Sequence, residues 1–111
     1  MAFEVILAPQ VVEALKKLSV PIRRGVEKAL DVHLTHEPTK VSKSRIKKLR
    51  GLSQPQYRLC VGNIRVFYDV TETQVQVLAV VSKAEAQAWL DEQGTPGPQE
   101  DEDGSSGDSQ G

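Results

Sequence analysis

The sequence is poor in cysteine, in aromatic residues and in long apolar runs, and each shortage excludes something. Cys60 is the single cysteine, so no disulfide can form within the chain, and a reducing compartment is the natural setting. Aromatic residues make up 5% of the chain against 39% for all hydrophobic types, which predicts an aliphatic core of Val and Leu. No stretch approaches the roughly 18 apolar residues of a membrane span. The opening Met1-Ala2-Phe3-Glu4-Val5 has neither the basic nor the apolar region of a secretory signal. These absences together predict a cytoplasmic protein with no membrane partner. Internal repeats and a phosphate-binding glycine loop are missing too. His33 and His36 lack the carboxylate or thiolate neighbours that would complete a metal site. Nothing in the sequence requires a metal or a cofactor, and 111 residues suffice for one domain.

Acids and bases are unevenly placed. Residues 1–94 carry 14 Lys and Arg against 10 Asp and Glu, a balance of +4. Residues 95–111 contain no Lys or Arg but five acids (Glu100, Asp101, Glu102, Asp103 and Asp108), a balance of −5 that brings the whole to −1. This second segment has no large apolar residue and cannot offset the entropy of ordering. The sequence therefore predicts a folded domain over 1–94 and a disordered acidic tail over 95–111. The tail reads either as a solubilising extension or as an arm that folds back on the basic body and competes with a nucleic acid. Conversely, Lys40, Lys43, Arg45, Lys47, Lys48 and Arg50 fall within eleven residues that hold no acid. A solvated basic loop would account for such a run. The arginines further along favour a phosphate-facing surface, with Lys43, Arg45, Lys47, Lys48 and Arg50 as its candidate nucleic-acid contacts.

The body reads as a strand, two helices and then strands. Phe3, Val5 and Leu7 alternate with Glu4, while Ile6 makes the second face apolar too, which predicts a strand covered on both sides. Pro9 suits the first turn of a helix, with Val11, Val12, Ala14, Leu15 and Leu18 as its apolar face. Pro21 opens a second helix carrying Ile22, Val26, Ala29, Leu30 and Leu34, and Pro38 limits it. The short link predicts an antiparallel helical hairpin. Further on, Gly62-Asn63 separates two β-rich runs, the signal of a two-residue hairpin turn. That turn fixes the pairing of Val61 with Ile64, Cys60 with Arg65, Leu59 with Val66 and Arg58 with Phe67. Leu59, Val61, Ile64, Val66 and Tyr68 then face the helices, and Arg58, Cys60, Arg65 and Phe67 face away. A tight turn at Glu72-Thr73 adds a strand with Val75, Val77 and Ala79 on the helix side and Leu78 and Val80 on the arginine side. Arg58 and Arg65 become diagonal neighbours about 7–8 Å apart, either snorkelling to solvent or sharing an anion. Ser82-Lys83-Ala84-Glu85 forms a capping box opening a short helix in which Ala86, Trp89 and Leu90 share a face. This helix either lies across the sheet near Phe67, Leu78 and Val80, partly covering the surface an RNA would approach, or swings away and exposes an apolar groove for a partner segment. Gly94 ends it.

At this point a family likeness emerges. Lys48-Leu49-Arg50-Gly51, Tyr57-Arg58-Leu59, Val61-Gly62-Asn63 and Arg65-Val66-Phe67-Tyr68 together resemble the signature of the RelE/ParE superfamily of type II toxin–antitoxin toxins, over about residues 2–90. The resemblance implies an α+β fold: N-terminal strand, antiparallel helical hairpin, three- to four-stranded antiparallel sheet and a short C-terminal helix. It also implies a cognate antitoxin that wraps the toxin. The RelE-like branch cleaves mRNA on the ribosome, where fixed cations stabilise the charge built up as a ribose 2′-OH attacks its phosphate. The ParE-like branch acts on DNA gyrase. In the ribonuclease branch Arg65 matches a phosphate-stabilising arginine, and Arg58 a basic position. Cys60 stands where a second basic residue is common. After the last strand, where that branch carries an arginine and then a tyrosine, this chain has Lys83 and no tyrosine. The expectation is thus a toxin that inhibits translation by ribosome-dependent mRNA cleavage, with Arg58, Arg65 and Lys83 as its catalytic candidates. The alternative is a non-catalytic member, either gyrase-directed or reduced to partner binding.

Overall fold

In a computed structural model of the chain, which describes residues 2–97, the elements follow the expected order. Strand β1 (Glu4–Leu7) leads into helices α1 (Pro9–Lys17) and α2 (Val20–Ala29). Leu30–Leu34 continue α2 as one wider π-helical turn, which directs both Leu30 and Leu34 into the core. Strands β2 (Ile46–Lys48), β3 (Leu52–Gln54), β4 (Tyr57–Val61), β5 (Ile64–Val70) and β6 (Gln74–Ser82) follow, then helix α3 (Lys83–Gln93) and strand β7 (Thr95–Pro96). No helix among the described residues is long and apolar enough to cross a membrane.

Five strands form one sheet in the order β1-β6-β5-β4-β2. Its neighbours run antiparallel except β1, which adds to β6 in parallel. Both hairpin-forming helices lie on one face. Val11, Leu15, Val26, Ala29, Leu30 and Leu34 meet Ile46, Leu59, Ile64, Val66, Tyr68, Val75, Val77 and Val80 in a single aliphatic core. Each fully buried Val or Leu here contributes about 1.5–3 kcal/mol relative to exposure. The apolar faces are narrower than the sequence suggests. Ile22 is 49% exposed and Val12 38%, so both lie off the packed side. Ile6 is 38% exposed, because β1 is an edge strand with one open face and is not covered on both sides.

The β4–β5 register is the predicted one, from Tyr57 opposite Tyr68 to Val61 opposite Ile64. Gly62 adopts φ 57, the left-handed conformation that glycine enters without a Cβ penalty. The β5–β6 pairing departs from expectation. Val70 does face Val75, but the register shifts between Phe67 and Tyr68, leaving Val66 opposite Val80 and Phe67 opposite Ala79. Leu78 is the extra residue of a β-bulge, and a one-residue slip exchanges the faces. Val80 therefore belongs to the helix-packed core, and Ala79 lies on the arginine side.

Thr95 and Pro96, which the sequence assigns to the disordered tail, pair with β3. Residues 98–111, on which the rest of that expectation falls, lie outside the described residues.

Candidate functional site: a cation-bearing sheet face

The second face of the sheet carries the candidate chemistry, and the strand registers place each group on it. Arg58 of β4 stands opposite Phe67 of β5 on one side and Lys47 of β2 on the other. One step along, Cys60 stands opposite Arg65, and its N–H donates to the Arg45 carbonyl at 2.8 Å. Arg45, Lys47, Arg58 and Arg65 thus form two adjoining rows on one face. Lys48 separates from them. It pairs with Tyr57 and holds its Nζ 5.4 Å from the Tyr57 ring centre, a cation–π contact. Lys43 and Arg50 are exposed loop residues on either side of β2. The predicted nucleic-acid set is therefore split across both faces of the β2 edge.

Arg65 and Lys83 meet at one turn. The Arg65 guanidinium donates through Nη1 to the Gly62 carbonyl at 2.9 Å and the Ile64 carbonyl at 3.1 Å. The Lys83 backbone N–H donates to the Asn63 carbonyl at 2.8 Å. The hairpin turn thus holds the Arg65 guanidinium and fixes the backbone of Lys83, while Arg58 lies on the neighbouring strand, further from the turn and opposite Phe67. Arg58 is half-buried, and its Nε is enclosed without a hydrogen-bond partner among the described residues. A guanidinium carries five N–H donors in a planar fork, and leaving an enclosed one unpaired costs about 1–3 kcal/mol or more.

The β5 carboxylate that alternates with Arg65 and Phe67, Asp69, is already engaged. It accepts from Gln54 Nε2 at 2.7 Å and from the Gln56 N–H at 2.8 Å. Gln56 Oε1 in turn accepts from the Val70 N–H at 2.9 Å. Among the described residues the ion pairs are Lys16–Glu13 and Lys40–Glu37, and neither touches this face. Asp69 thus pins the β3–β4 connection to β5 and leaves Arg58 uncompensated. Sequence reasoning passed over it, although a lone Asp within the apolar strand Ile64–Val70 is a visible signal.

Helix α3 crosses this face as a strap. Ser82 caps it by accepting from the Glu85 N–H at 3.3 Å. Ser82 Oγ donates to Glu85 Oε1 at 3.1 Å, so the Glu85 carboxylate meets the hydroxyl, where the capping box led us to expect the Ser82 N–H. Trp89 then stacks on Phe67, centroids 5.0 Å apart and planes 6° from parallel, which closes Phe67 completely to solvent. The Gly94 N–H ends the helix on the Leu90 carbonyl at 2.9 Å, and β7 fastens the far end to β3. Of the two placements the sequence allowed for α3, the one near Phe67 is observed. The sequence did not reveal the second fastening.

A mixed sheet with paired helices on one face and cations under a strap on the other defines a class of small α+β protein with known members. No family model and no curated protein matches the chain. Solved structures do. A chain of the archaeal RelE–RelB complex from Pyrococcus horikoshii OT3 is 29% identical, with a TM-score of 0.63, covering 75% of this chain and 97% of that one. A mutant RelE toxin of E. coli in the free state is 25% identical, with a TM-score of 0.61, covering 83% and 94%. A chain of the RelBE2 toxin–antitoxin complex of Mycobacterium tuberculosis shares the fold at 24% identity, with a TM-score of 0.59 and 74% and 99% coverage. The chain shares the fold of the RelE-like toxins and resembles them in sequence.

Proposed function

We propose that this protein is the toxin of a type II toxin–antitoxin pair and inhibits translation by cleaving mRNA on the ribosome. The observation that carries the reading is the uncompensated cation face, with Arg58, Arg65 and Lys83 as its reactive part. Arg58 offers an enclosed, unpartnered Nε, and Arg65 is held in place by two carbonyls. Donors fixed before reaction stabilise developing phosphate charge without reorganising, and removing one costs about 10²–10³ in rate. Arg45 and Lys47, on the same face, extend the cation rows along the β2 edge and suit the backbone of a bound RNA.

The partner is a cognate antitoxin, by likeness to neighbours crystallised as RelE–RelB complexes. Val12, Val20, Ile22 and Val32 are 38–49% exposed on and next to the two helices, and they give an antitoxin segment an apolar seat.

One observation favours a second reading. Trp89 occupies the space above Phe67, and α3 carries no tyrosine. This suits a non-catalytic member that binds its partner, or gyrase, through the same surfaces. A cell-free translation assay with purified protein separates the two. The toxin reading predicts inhibition that weakens about 10²-fold in Arg58→Ala and Arg65→Ala and less in Lys83→Ala. Undiminished translation at saturating protein would leave only the second reading.

A further inference from the structure

Beside β2 opens a cleft of about 670 Å³, lined by Lys47, Lys48, Arg50, Gly51, Leu52 and Gly97 among others. Three of these lining residues are cationic, and none forms an ion pair among the described residues. The whole stretch from residue 38 to residue 68 contains no Asp or Glu. The position of Gly97 is fixed. Its N–H donates to the Gly51 carbonyl at 3.0 Å, and a Cβ there would lie 3.1 Å from Leu52 C and Ser53 N. Gly97, the last described residue, thus lines this cationic cleft. Three residues further on, the sequence reads Glu100, Asp101, Glu102 and Asp103 without interruption.

We propose that these four acids occupy the Lys47–Lys48–Arg50 cleft and compete there with RNA. Reach and charge both suit the assignment. At about 3.3–3.6 Å per residue, Glu100 lies within about 11 Å of Gly97 and Asp103 within about 22 Å. Exposed ion pairs are individually weak, but the short tether raises the effective concentration of the acids to about millimolar. At that effective concentration an acid cluster with an intrinsic dissociation constant of about 0.1 mM fills the cleft in about nine molecules of ten and weakens RNA binding there about tenfold. The tail then acts as a built-in competitor that a high-affinity target displaces and weak, adventitious RNA does not.

The proposal stands apart from whether the protein cuts mRNA, and its test keeps the two separate. The full chain is compared with E100Q/D101N/E102Q/D103N in two measurements. One is anisotropy binding of a single-stranded RNA dodecamer, and the other is the amide NMR shifts of Lys47, Lys48, Arg50 and Gly51. The expected result is about tenfold tighter RNA binding by the neutralised chain at about 50 mM salt, a gap that closes as salt rises. The cleft amides should also shift between the two chains without RNA. Unchanged amides together with equal RNA affinity would overturn the proposal and leave the cleft as a plain nucleic-acid surface. Shifted amides with equal RNA affinity, or with RNA bound by neither chain, would overturn the competition with RNA even though the tail sits in the cleft.

Discussion

Tyr68 shows how a single residue fastens the core. Its ring is fully buried, stacks on Tyr57 at 5.5 Å and donates its hydroxyl to the Pro38 carbonyl at 2.6 Å. Burial, and secondarily the neighbouring Tyr57, pushes its phenol well above the ordinary 10.0. The unfolded chain releases this proton near pH 10 while the folded one keeps it. The contribution of Tyr68 is therefore complete below pH 10 and declines as pH rises beyond it, by about 1.4 kcal/mol per unit until the folded group titrates. Denaturant titrations from pH 9 to 11 should show that decline in the native chain and a flatter profile in Tyr68→Phe. The variant should be about 1–3 kcal/mol less stable at neutral pH, because the Pro38 carbonyl is left unpaired. Arg58 and Arg65 stand in a different position. Their face was legible from the Gly62-Asn63 turn. The tethering of Arg65 to the Gly62 and Ile64 carbonyls was not, because a side chain's choice of partner is not written in strand alternation.

At the scale of elements, what the sequence disclosed depended on how local each signal was. The β4–β5 hairpin was legible to the residue because two adjacent turn residues set its register. The β5–β6 register was not, because Val75 to Val81 is apolar on both parities apart from Gln76. Alternation cannot then tell one register from its neighbour. The bulge at Leu78 is resolved only by the packing of Val80 into the core. β7 was hidden for a related reason: Thr95-Pro96 has no strand signature and pairs only because α3 delivers it to β3. The strap itself gives a sharp expectation. Trp89 is the sole tryptophan, so its fluorescence reports the Phe67 stack directly. Phe67→Leu should shift its emission to the red with far-UV circular dichroism retained. Trp89→Ala should lower stability by about 1–3 kcal/mol, the range for losing an aromatic pair with part of its buried area. Unchanged emission in Phe67→Leu would mean that α3 is not held by this contact.

Over the whole molecule, the governing feature is the segregation of charge. The acid-free stretch from 38 to 68 supplies β2, β4 and part of β5, so the fold gathers its cations at one edge of the sheet and over the face beyond it. That gathering was half legible. The sequence identified the cationic run and both arginines, but it could not tell that Lys48 turns to Tyr57 while Lys47 turns to Arg58. Nor could it tell that Asp69 would be taken up by Gln54 and Gln56. Both outcomes follow from strand pairing between segments about ten or more residues apart. Together they leave Arg58 without a counter-charge, and the proposed chemistry rests on that feature. The most direct test is to map mRNA 5′ ends on programmed ribosomes incubated with the purified protein, beside Arg65→Ala. The account predicts new ends within the A-site codon that are lost or strongly reduced in the variant. Intact mRNA at saturating protein, or cleavage undiminished by the substitution, would contradict it.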